Sequence, residues 1–493
     1  MSPKTIRTLL FAGCASMALA GCDGGASQVA SPGEGTFTGG GAGGGGGGTP
    51  PPTGPGPGQP AADCPAGFAN VGTVANNTLR ACQLPAAIIG ALVVPLRAGT
   101  VYAISGRVDV GSDRGADPAA PRAGSAQGIL TVEPGVRLFG SAGLDYIVVN
   151  RGSQIFAEGT PTQPIVFTSR QNIEGQTGED SIGQWGGLVI LGRAPTAACP
   201  AGVTPPNIAC EAQVEGTNAF YGGNTPTDNS GRMRYVRVQH SGFQILPNNE
   251  LNGITYAGVG SGTVVENVQV HNSSDDGIEI FGGTLNLRYI VLTGNDDDSL
   301  DTDTGWRGGV QFLIVRQRAN GGDRGFEMSS AGNQALNSQP KVANFTVFGS
   351  ARTGAGDVIT LNSGTGGQFV NGVVVTGNAA TACLDIDAAS TVAANPRFNS
   401  VNLGCPIAFR NDTDVDGAAT ANVFNAGANN NSAFAPSLSN GFINGPNEAG
   451  RPPTNASTIY GFFVNTAYVG AVRDAADTWW QGWTCGLVPG STC

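Results

Sequence analysis

DGIEIFGGTLNLRYIVLTGNDDDSLDTDTG, residues 276–305, carries the pattern that decides the fold. Two short alternating segments, anchored at Ile278 and Leu300, stand 22 residues apart with the apolar run LRYIVL between them. The same two units recur on either side. One series reads NGITYAG (252–258), DGIEIFG (276–282), SLDTDTG (299–305), RGFEMSS (324–330), DVITLNS (357–363), CLDIDAA (383–389) and PIAFRND (406–412). Its anchors Ile254, Ile278, Leu300, Phe326, Ile359, Leu384 and Ile407 are spaced by 24, 22, 26, 33, 25 and 23 residues. A second series falls between them: VENVQVHN, LRYIVLTGN, VQFLIVRQ, VANFTVFG, VNGVVVTGN and FNSVNLG.

Two short strands per repeat of roughly 23 residues, punctuated by Gly and Asn, describe the coil of a solenoid. Helical solenoids are excluded by the missing 3.6-residue period and by 78 glycines in 493 residues. The L-x-x-L-x-L frame of leucine-rich repeats is absent. A β-sandwich would show strands every ~8–12 residues without the longer period. The pattern therefore predicts an all-β chain folded as a parallel β-helix.

The amino-terminal half uses the same grammar in LTVEPGVRLFG (130–140), VVNRGSQIFAEGTPTQPIVFTS (148–169), QWGGLVILGRAP (184–195) and MRYVRVQHSG (233–242). These segments resemble the entry coils of right-handed β-helix proteins of the pectin-lyase-like superfamily. The resemblance runs over about residues 98–411 and returns in YVGAVRDAADTWWQGWT (468–484). With the export signal described below, the whole is similar to a family of bacterial surface lipoproteins with a β-helical body and no settled activity.

In each coil the anchor faces inward, the next residue outward and the third inward again. The outward residues are Thr255, Glu279, Asp301, Glu327, Thr360, Asp385 and Ala408. With neighbouring strands ~4.8 Å apart, Glu279, Asp301 and Glu327 should form a vertical row of carboxylates. Asp275, Asp297 and Asp323 form a second row on the preceding turn, with Asp276 and Asp298 beside it and Asp303 beyond Asp301. Like charges so close protonate, pair with arginine or bind a cation.

Three readings of this face follow. It is a solvated sheet face balanced by Arg288, Arg307, Arg316, Arg318 and Arg324; or a calcium site built from Asp275, Glu279, Asp297, Asp298 and Asp301; or a catalytic cleft. Calcium takes six to eight oxygen ligands, which this face offers, although the EF-hand and nonapeptide frames are missing. Superfamily members include polysaccharide lyases and hydrolases. The resemblance thus implies Asp276 and Asp301 as an acid–base pair, or Arg307 or Arg324 as the base acting on a calcium-bound uronide. Against catalysis, no Gly-His-Gly or Arg-Ile-Lys segment occurs, and Lys341 stands in a different strand of a later coil.

His240 and His271 follow corresponding strands and read as members of a polar stack. Trp185 and Trp306 offer rings for sugar stacking, whereas Trp479, Trp480 and Trp483 read as a cap over the last coil. No P-loop, dinucleotide fingerprint, nucleophile elbow or HExxH motif occurs.

The ends set the expected compartment. Lys4 and Arg7 precede an apolar run, Leu9 to Leu19, followed by the quartet LAGC ending at Cys22. This is an export signal too short to span a membrane. The quartet resembles a bacterial lipobox, which implies removal of residues 1–21 and acylation of Cys22. Asp23 bears on whether the inner or outer membrane retains the anchor. Residues 22–63, with GGGAGGGGGGTPPPTGPGPGQP, read as a disordered Gly/Pro tether. An amino-terminal cap (64–97), the β-helix (98–411) and an irregular carboxy-terminal cap (412–493) complete the expected organisation.

Eight cysteines remain as four local couples, Cys64–Cys82, Cys199–Cys210, Cys383–Cys405 and Cys485–Cys493, which in an exported chain read as disulfides. A formal net charge of −11 makes nucleic acid a poor partner. The expectation is a membrane-anchored, surface-facing β-helical binding or structural module, with polysaccharide or an outer-membrane receptor, such as a TonB-dependent one, as partner. A calcium-assisted polysaccharide lyase or hydrolase is the alternative.

Overall fold

The computed structural model describes residues 55–246, 249–488, 491 and 493. The expected signal segment 1–21, Cys22 as the expected acylation site and most of the expected tether lie outside the described residues.

The two series become two long sheets. One holds eleven strands, among them Arg107–Val110, Tyr146–Val149, Gly187–Leu191, Ile254–Ala257, Ile278–Phe281, Leu300–Asp303, Phe326–Met328, Ile359–Leu361, Ala382–Ile386 and Ile407–Phe409, each parallel to the next. The other holds fifteen strands and includes Gly231–Gln239, Val264–His271, Asn286–Thr293, Gly309–Arg316, Lys341–Gly349, Gln368–Thr376 and Arg397–Gly404 in that order. This is a parallel β-helix.

The register follows the anchors. Ile254 pairs with Ile278, Ile278 with Leu300, Leu300 with Phe326, Phe326 with Ile359 and Ile359 with Leu384. All six are buried in one continuous apolar core, which Leu188, Ile147 and Val108 extend toward the amino terminus. The last step departs from expectation. Leu384 pairs with Phe409, and Ile407 pairs with Ala382 instead. The shift sets the Phe409 ring 5.4 Å from Phe424 of the closing helix, Gly417–Asn425.

Each strand of the second series turns a corner that the sequence reading did not anticipate. Tyr235, Asn267, Tyr289, Phe312, Asn344, Asn371 and Ser400 all have φ between 49° and 61° and are skipped in the pairing of their strands. A left-handed residue costs ~1–2 kcal/mol unless it is Gly, Asn or Asp. Three of the seven are Asn, and Tyr289 and Phe312 offset part of the cost by stacking at 4.8 Å. Beyond the corner, Phe345 faces Gly372, where a Cβ would lie 2.1 Å from the phenylalanine Cζ. Glycine is required there by packing.

Coil pairing begins earlier than residue 98. Leu79–Gln83 is parallel to Thr100–Ala103, and Gly90–Val94 to Gly128–Val132, while Ala69–Val74 closes that end antiparallel to Leu79–Gln83. At the other end the helix Gly417–Asn425 plugs the last coil, with Phe424 lying 5.4 Å from Phe398.

The chain then doubles back along the outer side of the larger sheet. Ala471 N donates to Thr346 Oγ1, Val464 N to Gln311 Oε1 and Cys485 N to Gln269 Oε1. Trp483 is buried there with Val291, Ile314, Phe442 and Val472, flanked by Trp479 and Trp480. The tryptophan cluster is therefore a lateral seal and does not cap the last coil. The near-continuous apolar runs of the second series (LIV at 313–315, VVV at 373–375) are the signal for strands covered on both sides.

All four cysteine couples are disulfides, with Cα–Cα distances of 5.5, 4.1, 5.5 and 5.1 Å in chain order. No helix among the described residues is long and apolar enough to cross a membrane.

Candidate functional site

The acidic rows form because strand pairing stacks the residue after each anchor. Thr255, Glu279, Asp301, Glu327, Thr360 and Asp385 occupy successive positions of one column on the smaller sheet. The turns before the strands add the second row. Oxygens of Asp275, Asp276 and Asp297 lie within 4.8 Å of one another, as do those of Asp276, Glu279 and Asp301, of Asp297, Asp298 and Asp323, and of Asp298, Asp301 and Glu327. Shared members make these sets one continuous patch.

Half of the patch is withdrawn from water, whereas Asp275, Asp297, Asp323 and Glu327 are half-buried. Asp276, Glu279, Asp298 and Asp301 are 6, 5, 2 and 6 % exposed. Burial pushes the carboxyls of Asp276, Glu279 and Asp298 well above the ordinary range, and neighbouring carboxylates push further in the same direction: Asp301 on Asp276, Glu215 on Glu279, Glu327 on Asp298. Backbone and amide donors compensate in part. Asn252 Nδ2 donates to Glu279 Oε2 at 2.6 Å, Asp298 N to Asp276 Oδ1 at 3.0 Å and Arg324 N to Asp298 Oδ1 at 2.7 Å. Two contributors were not singled out by the sequence pattern: Glu215 comes from the stretch that inserts between coils, and Asn252 opens the repeat segment NGITYAG.

The arginines divide differently from the sequence expectation. Arg324 belongs to the patch, with Nη1 at 2.6 Å from Asp323, 3.3 Å from Glu327 and 3.8 Å from Asp298. Arg307 donates to the backbone and side-chain oxygens of Asn337 at 3.1 Å. Arg288 donates to Phe462 O, Arg316 to Leu487 O, and Arg318 pairs with Asp296. Those three serve the larger sheet and the returning carboxy-terminal segment because they stand in, or just after, its strands. A face balanced by all five arginines is therefore not what forms.

Other candidates are accounted for by packing. Trp185 and Trp306 are fully buried, their indole N–H groups donating to Gln239 O and Leu285 O. His240 and His271 are buried with rings 5.7 Å apart; His240 Nδ1 contacts Ser181 O and His271 Nδ1 contacts Thr293 Oγ1. Lys341 Nζ donates to Arg307 O at 2.9 Å, and burial lowers it to about 8.

The family model of the pectate-lyase-like β-helix domain matches residues 120–484. The chain belongs to that family. No curated protein and no solved structure gives a significant match. Family membership fits a polysaccharide-related role and leaves binding and catalysis to be argued from the site. One further acidic set lies outside the patch, where Asp385, Asp387 and Asp412 bring oxygens within 4.8 Å of one another. Of its members only Asp412 stands in a spacing that could mark it: Asp412, Asp414, Asp416, Gly417 is the first half of a calcium loop without the acid that normally ends it.

Proposed function

We propose that this chain is a lipid-anchored β-helical binding or structural module of the bacterial envelope, whose acidic patch holds calcium as a structural ion. The observation that carries the reading is the burial of Asp276, Glu279, Asp298 and Asp301. Carboxylates acting on a polymer must meet it, whereas carboxylates holding a structural ion are best withdrawn from water. The donor set fits: several carboxylate oxygens with no nitrogen or sulfur ligand suit a hard cation. Asp275, Glu279, Asp297, Asp298 and Asp301 would hold it, with Asp276 beside them. Such an ion supplies the positive charge that Arg324, with Arg352 on Asp323, provides only at one edge.

Geometry also weakens the inverting-hydrolase alternative. An inverting pair keeps its carboxyls ~6.5–9.5 Å apart to admit water. Asp276 and Asp301 bring oxygens within 4.8 Å. Arg307, held by Asn337, is not poised as a base. Carbohydrate or an outer-membrane receptor is the expected partner of the outer surface, and Cys22 the point of attachment.

The test uses calcium alone. Millimolar calcium should raise the melting temperature relative to chelator; binding at a hundred times the dissociation constant is worth ~2.7 kcal/mol. Asp297→Asn combined with Asp301→Asn should abolish the rise. Uronic-acid polysaccharides should yield no new reducing or unsaturated ends. Product that disappears in Asp301→Asn would establish the enzyme instead, and identical melting with chelator and calcium would remove the ion. Cys22→Ser should release the protein from membranes or stall its processing; an unmodified mature terminus beyond residue 22 would reject the anchor.

A further inference from the structure

The closing end of the solenoid carries a second group of acids. Asp385 lies on the last full strand of the smaller sheet, Ala382–Ile386, and Asp387 follows it on the same face. Asp412 opens the loop that leads into the closing helix, Gly417–Asn425. One oxygen from each lies within 4.8 Å of the others.

Two observations beyond the clustering point to a ligand. Asp385 is only 8 % exposed, and its Oδ1 is buried without a hydrogen-bond partner. A buried carboxylate oxygen left so is costly unless a cation meets it. Arg410 forks onto Asp357, with Nε at 2.6 Å from Oδ2, and reaches Asp385 and Asp412 through its charge without a hydrogen bond to Asp385 Oδ1. The second observation is the spacing. Asp412, Asp414 and Asp416 followed by Gly417 have the spacing of positions 1, 3, 5 and 6 of a calcium loop running into a helix; Asp412 joins the oxygen set, while Asp416 caps the helix, its Oδ1 accepting from Ala419 N at 2.7 Å. Position 12, where such loops place a bidentate acid, is the buried Val423. Asp385 and Asp387 stand beside the loop and supply the missing carboxylates from the coil.

We propose that Asp385, Asp387 and Asp412 form a second calcium site, which ties the closing helix to the last coil. Three oxygens within 4.8 Å fit inside a calcium shell, whose ligands at 2.3–2.6 Å span up to ~5 Å. The ion bridges a strand and a loop about 25 residues apart, the separation of one coil. It locks the end of the solenoid where Cys383–Cys405 already holds the last turn. The site stands independently of the patch around Asp298.

Calcium stoichiometry on the full chain tests this, measured by calorimetry with calcium and, separately, magnesium. Asp387→Asn combined with Asp412→Asn should bind one calcium fewer than the parent. The loss should persist when Asp297→Asn and Asp301→Asn are also present, which separates this site from the patch. Unchanged stoichiometry would overturn the proposal, as would a site that magnesium fills equally well. If the variant fails to fold, proteolysis of the parent decides. Calcium should slow cleavage within 410–417 several-fold, and equal cleavage with calcium and chelator would overturn the site.

Discussion

His271 and Leu300 show how single residues set the stability of this chain. Burial pushes the His271 imidazole down to about 3, helped by His240, Arg237 and Arg318, and burial lowers His240 as well. An unfolded histidine titrates near ~6.5. Above that pH both states hold the ring neutral and the contribution is complete. As pH falls toward 3 the unfolded state takes up the proton first, so stability is lost, with a slope of up to ~1.4 kcal/mol per pH unit for each ring. The buried carboxylates act oppositely, because their raised folded values favour protonation. The comparison is therefore between the parent and His271→Asn. The variant should lose less stability between pH 7 and pH 5 in denaturant titrations, and equal losses would show that the ring does not contribute. Leu300 lies between Ile278 and Phe326 in the core stack. Leu300→Asp places a charge there without a partner and should cost about 4 kcal/mol or more. A denaturation midpoint within experimental error of the parent would reject the inward register.

At the scale of elements, the bent strands and the returning segment depend on each other. The residues just past each corner, including Val291, Ile314, Thr346 and Val373, turn their outer side to the carboxy-terminal segment. Trp483 is the largest fully buried side chain in that contact, its indole donating to Trp479 O at 2.8 Å. Trp483→Ala should cost ~3–5 kcal/mol, the usual range for truncating a buried tryptophan. Limited proteolysis should then cut within 468–488 before the coils, since the coils keep their own pairing. Simultaneous loss of coils and segment would mean that the seal is part of the solenoid's cooperative unit.

For the whole molecule, the solenoid repeat was plain from residues and the site was not. The alternation around Ile254, Ile278, Leu300, Phe326, Ile359 and Leu384 determined strand, register and inward face, because a parallel ladder with a two-residue side-chain period admits one arrangement of such anchors. It also determined that Glu279, Asp301 and Glu327 would stand in one column. Proximity in sequence was enough for the four disulfides, since each closes a local loop or a single coil. Three features needed the tertiary structure. Which arginine meets the acids depends on which sheet each strand joins, and that separated Arg324 from Arg288, Arg316 and Arg318, while Arg307, on a connection between strands, is drawn to Asn337. The place of Trp479, Trp480 and Trp483 depends on the path of an irregular segment that has no period to read. The burial of Asp276, Glu279, Asp298 and Asp301 depends on what packs beside the sheet, and alternation only says which way a side chain leaves its strand, never whether water or protein waits there.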